Sequence, residues 1–145
     1  MTDDPGHVAR RRLARSVLAR HAGATADATA VAAAASRAYD DLARVLAPVI
    51  GDVGVAALTD RAMHLAAGRY PWLPSSEPGA ADIRFTKVIE ALNRQNNPAA
   101  AADAAAAIFE SILGLLATFI GEPLAARLVK QGWPDAVSSA DTEET

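Results

Sequence analysis

The feature that most constrains this chain is a triplet that occurs twice. Ile50-Gly51-Asp52 and Ile120-Gly121-Glu122 lie 70 positions apart, and each closes a long stretch whose apolar residues recur at helical spacing. Aligned on the triplets, Leu46, Ala47, Ala56 and Leu58 meet Leu116, Ala117, Ala126 and Leu128. Tyr39-Asp40 meets Phe109-Glu110, and the N-cap candidate Asp27 meets Asn97. Beyond the corner the second copy realigns when seven residues are removed, and Tyr70-Pro71 then meets Trp133-Pro134. Seven residues is about two helical turns, so such a deletion shortens a helix without rotating its buried face. The pattern predicts two αα-hairpin repeats, 27–71 and 97–134, related by a pseudo-two-fold axis.

Alanine sets the fold class. It fills 36 of 145 positions, alongside Leu, Arg and Glu, and no stretch alternates polar with apolar residues. The expectation is all-α: a small helical bundle of about six helices and no strand. Helix one is expected over 7–22, stopping at Gly23. Helix two starts at the cap Asp27 and reaches Ile50, with Pro48 bending its last turn. Helix three covers 52–67 and ends at Gly68, with Val55, Leu58, Ala62 and Leu65 inward. The Pro-rich stretch 70–79 is the main loop. Helix four covers 81–94, helix five runs from Pro98 under an Asn97 cap to Ile120, and helix six covers 123–131. Helix five is apolar on nearly every side and so belongs at the centre. The chain reads as one domain, 7–134, with residues 1–6 and the acidic stretch 135–145 as disordered ends.

Composition removes several kinds of chemistry. Without cysteine there is no disulfide, thiolate nucleophile or cysteine-held metal. A net charge of -3 argues against a surface that tracks nucleic acid throughout. Positive charge is local, on helix one at Arg10, Arg11, Arg12, Arg15 and Arg20. The longest strongly apolar uncharged run, 111–121, is shorter than the roughly 20 residues a spanning helix needs, so no membrane association is expected. The arginine cluster is not succeeded by an uninterrupted apolar segment, since Arg15 and Arg20 break it, and the expected location is the cytoplasm. Neither a Gly-rich phosphate loop nor a Gly-x-Ser-x-Gly elbow occurs, so the expectation is a non-enzyme without cofactors or metals.

Candidate functional positions fall into three groups. Glu110 sits within an apolar stretch. An exposed helix edge is the simpler reading; if buried, it needs an arginine or the Tyr39 hydroxyl as partner. With Tyr39, Tyr70, Trp72 and Trp133 it makes the candidate ligand pocket, although aromatic residues beside prolines more often plug a bundle end. Leu113, Leu116, Phe119, Ile120, Leu124 and Leu128 on helices five and six are the candidate self-association surface. Arg10, Arg11, Arg12 and Arg15 are the candidate anion or partner docking residues. His64, four residues after Asp60, has the spacing of an oriented base, and equally that of a plain helix pair. The first reading is a non-catalytic interaction or regulatory module, a homodimer or adaptor. A small-ligand sensor is the alternative, and a DNA-binding regulator working through helix one is the next.

Overall fold

The computed structural model describes residues 5–22, 27–73 and 81–134, with side chains described over 10–20, 27–73 and 85–134. Among these residues there are five helices and no strand: α1 (Pro5–Ala22), α2 (Ala28–Arg69), α3 (Ala81–Arg94), α4 (Pro98–Ile120) and α5 (Glu122–Gly132). The all-helical class is therefore as the composition dictates. The count is five where six were expected, because the second and third expected helices form one element, α2, interrupted only where Gly51 leaves helical dihedrals (φ 79°, ψ 162°). The expected disordered stretch 135–145 and residues 1–4 lie outside the described residues, and α1 begins two positions before the expected start.

Local chemistry explains the ends. Asp27 accepts a hydrogen bond from the Ala30 amide, and Asn97 accepts from Ala99 and Ala100, so both long helices begin on a side-chain cap. Gly121 takes φ 94° and ψ 150°, close to the dihedrals of Gly51. That region of backbone space is open to glycine almost alone. At the far ends, the Tyr70 amide donates to the Ala66 carbonyl and the Trp133 amide to that of Val129, with φ of -126° and -128°. Gly68 does not stop α2; its backbone remains helical, and the helix closes at Tyr70. Pro48 lies inside α2, three residues before the break, where its missing amide already weakens the last turn.

Packing follows the small residues. Val31, Ala34, Ala35, Ala38, Leu42 and Leu46 of α2 are buried, as are all seven consecutive residues from Ala104 to Glu110 of α4. A helix buried around its full circumference is central, and alanine there lets neighbouring backbones close in. α1 packs on α4 and α2, α3 packs on α2, and α5 packs on α2 and α4. Arg10, Arg11 and Arg15 meet Glu122, Glu110 and Asp103 in that order, so α1 runs antiparallel to α4. α1 also lies along α2, to which only residues 23–26 join it. The first half of α2 therefore runs parallel to α4, and both reach their glycine corners at the end where α1 begins. Beyond Gly51 the buried face comprises Val55, Thr59, Ala62, Met63 and Ala66, rotated from the expected one. Leu65 points outward, and Thr59 turns in because its hydroxyl donates to the Val55 carbonyl and pairs with the Tyr39 hydroxyl at 3.0 Å.

Candidate functional site

The charged positions come together on one seam. Glu110 is not an exposed edge: it is only 8% exposed. The arginine partner that burial demands is Arg11, whose Nε donates to Oε1 of Glu110 at 2.6 Å. The helix spacing continues the pattern. Arg15 Nη2 donates to Oδ1 of Asp103 at 2.7 Å, and Arg10 reaches Oε1 of Glu122 at 3.5 Å. On α4, Asp103, Ala107, Glu110 and Gly114 fall on one stripe by helical spacing, small residues alternating with acids. The Arg10 guanidinium lies over Gly114, its Nε 3.3 Å from where a Cβ would stand. Burial lowers the Arg11 pKa, but the hydrogen bond and charge of Glu110, with smaller contributions from Tyr70 and Asp103, outweigh it and hold Arg11 above the ordinary arginine value. A raised cation pKa means stability that is complete below the unfolded-state value and lost only above it, so Arg11 contributes fully at every physiological pH.

Arg10, Arg11 and Arg15 of the predicted docking arginines thus form intramolecular ion pairs, and Arg12 lies at the surface. Sequence reasoning missed Asp103. Its signal was present: Asp103 and Glu110 are seven apart, two turns of one face, opposite arginines on a helix of complementary charge.

The predicted aromatic group divides. Tyr39 stacks on Phe85 with centroids 4.1 Å apart, Phe85 meets Phe109 at 6.2 Å, and Phe109 meets Trp133 edge to face at 5.5 Å. This chain of rings ties α2, α3, α4 and the end of α5 together. Trp133 is buried and its indole N–H donates to the Ala38 carbonyl at 2.9 Å, so it is a plug. The close approach depends on Gly132, where a Cβ would stand 3.4 Å from the Asp41 carbonyl oxygen and 3.5 Å from the Leu42 Cα. Tyr70 and Trp72 are half-buried and meet edge to face at 6.3 Å. Tyr39 gives its hydroxyl to Thr59, a buried partner no hydrophobic pattern could announce.

The candidate self-association residues divide by exposure. Leu113, Leu116 and Leu128 are buried in the chain's own core. Ile120 is half-buried, Leu124 lies at the surface, and Phe119 is 66% exposed. Across the first corner Val49, which its helical spacing places on the inward stripe with Leu42 and Leu46, is instead exposed, as is Val53, by 85%. Both glycine corners therefore carry large apolar side chains into solvent, flanked by the acids Asp52 and Glu122. Both α2 and α4 are long and apolar enough, by length and composition alone, to cross a bilayer. In α4, 56% of the most apolar stretch is buried inside the bundle, against 17% in α2.

Asp60 is half-buried and His64 exposed, four apart on α2. Among the described residues, no group of three His, Cys, Asp or Glu side chains is placed to hold a metal ion. The chain matches no known family model, no curated protein and no solved structure.

Proposed function

We propose that this chain is a non-catalytic helical interaction module that self-associates through the apolar end of the bundle, at the two glycine corners. The observation that carries the reading is the exposure of Val49, Val53, Phe119 and Leu124 around Gly51 and Gly121, where the other large apolar residues among those described are mostly inside. Exposed apolar groups that gather at one place are the usual mark of a covered surface. Matched dihedrals at the corners, matched side-chain caps and matched aromatic ends support the finer reading of two pseudo-symmetric hairpins, which would present the corners as a related pair.

The competing readings have less in their favour. A DNA-binding helix one would need arginines that face Glu110, Asp103 and Glu122, and a ligand pocket would need Trp133 and Tyr39, which are occupied in the core. We place the module in the cytoplasm rather than in a bilayer, on the ground that the Arg11–Glu110 pair sits near the centre of α4 and charge is costly at membrane depth.

Sedimentation of the full chain tests the proposal. Dimers that dissociate when Val53 and Phe119 are both changed to Ser support it; a wild-type monomer at all concentrations overturns it, as does flotation with lipid vesicles.

A further inference from the structure

The two glycine corners are alike in backbone and unlike in what they carry. At the first, Gly51 is exposed, a Cβ built on it would meet nothing within 4 Å, and the exposed apolar side chains are the short Val49 and Val53. At the second, Pro123 stands 3.9 Å from where a Cβ on Gly121 would lie, and the exposed side chains are the longer Phe119 and Leu124. One corner is open and shallow; the other is filled and projecting. Charge differs as well. Asp52 is exposed at the first corner, whereas Glu122 at the second has Arg10 3.5 Å away. Both corners lie at one end of the bundle: the Arg10–Glu122 pair brings the start of α1 to the second, and α5 returns from there along α2, with Gly132 against Asp41 and Leu42.

Two copies that meet through this end have two ways to pair their corners. Like on like sets Asp52 against Asp52 of the second copy, and facing like charges repel. It also leaves two shallow surfaces facing at one contact and two projecting ones at the other. Crossing the corners matches a projecting surface to a shallow one twice, and turns Asp52 towards the corner that carries Arg10. We propose that the self-association is crossed: the first corner of each copy receives the second corner of the other, with the Phe119 ring over Gly51 beside Val53. A two-fold axis produces this reciprocally, since in such a contact residue i meets j while j meets i. Both chains keep the fold described, and every contact is made between surfaces that are already exposed. The inference rests on the reading of the chain as a self-associating module, and it adds which corner meets which.

The absence of cysteine makes the test clean. Val53→Cys and Phe119→Cys are made in separate full-length chains, at exposed positions that the core does not use. The two are mixed in equal amounts and oxidised with copper phenanthroline. A disulfide needs Cα atoms within about 7 Å, so only positions in contact join. The mixed 53–119 disulfide is expected to exceed the two homodisulfides together severalfold, whereas random pairing makes them equal. Homodisulfides in equal or greater amount, or no disulfide at all, overturn the crossing. Exchanging the sizes gives an independent measurement. Val53→Phe and Phe119→Val are each expected to weaken the dimer about tenfold in Kd, by crowding in one case and lost contact in the other. The chain with both changes should recover most of the loss, because a crossed contact again pairs one large side chain with one small. Losses that simply add overturn the crossing. Sedimentation of the wild type keeps the two readings apart: a dimer that shows neither result leaves self-association standing and removes the crossing, and a monomer removes both.

Discussion

Glu110 shows how much one side chain depends on a residue 99 positions away. Its carboxylate is buried on the central helix, and Arg11 is the cation that answers it at 2.6 Å. Removing Arg11 leaves a buried charge without that cation, so Arg11→Ala is expected to cost about 2–4 kcal/mol, whereas Arg11→Ala with Glu110→Leu recovers most of that loss. Chemical denaturation of the two single variants and the double variant measures this; additivity of the two changes would count against the pair. The glycines give a contrast of sign. Gly51 and Gly121 sit at φ 79° and 94° with extended ψ, where a Cβ is strained, so alanine at either is expected to cost about 1–3 kcal/mol. Gly68 is helical, and a Cβ placed there would meet nothing within 4 Å, so Gly68→Ala is expected to stabilise by about 0.5–1 kcal/mol. Melting temperatures of the three alanine variants decide the matter, and a common sign would refute the backbone argument.

Individual helices were legible to different depths. The caps Asp27 and Asn97 and the range of α3 stand where sequence chemistry puts them, because these signals act over three or four residues. The glycine corners were equally local. Rotation of the second half of α2 was not, since Thr59 faces inward only because Tyr39 waits 20 residues earlier with a hydroxyl for it. The burial of Glu110 was hidden for the same reason, its partner lying on another helix. Trp133 marks the limit of pattern reading: a proline neighbour announces a helix end, but not that the indole reaches the Ala38 carbonyl. That contact depends on α5 lying against α2 at Gly132. Gly132→Leu is expected to push the end of α5 away at a cost of about 1–3 kcal/mol, from overpacking against Asp41, Leu42 and Val45. Tryptophan fluorescence follows it directly. In a Trp72→Phe background, where Trp133 alone emits, the emission of the buried indole should move to the red. An unchanged spectrum would mean that the helix accommodates the larger residue without moving.

Taken as a whole molecule, the bundle carries most of the exposed large apolar side chains among its described residues beside the two glycine corners, Leu65 lying elsewhere on α2. A glycine corner changes the chain's direction within a residue or two, and the side chains beside it, Val49 and Val53 at one corner and Phe119 at the other, lose the neighbour that a straight helix would supply. In an isolated molecule this surface stays in water; in a self-associating one it is the contact. Fully burying a side chain such as Phe119 is worth about 1.5–3 kcal/mol. For a contact made once in each copy, Phe119→Ser is therefore expected to weaken the dimer by at least about tenfold to a hundredfold in Kd, each tenfold corresponding to about 1.4 kcal/mol. Leu116→Ser provides the opposite control, because Leu116 is fully buried within the chain. It should lower the melting temperature of the monomer by removing core contact, an effect that dilution does not alter. Phe119→Ser should leave the monomer's melting temperature nearly unchanged and shift only the concentration dependence. Sedimentation velocity over a wide dilution series, paired with melting at each concentration, separates the two effects. If Phe119→Ser lowers stability independently of concentration, the corner belongs to the fold of a single chain and not to an interface.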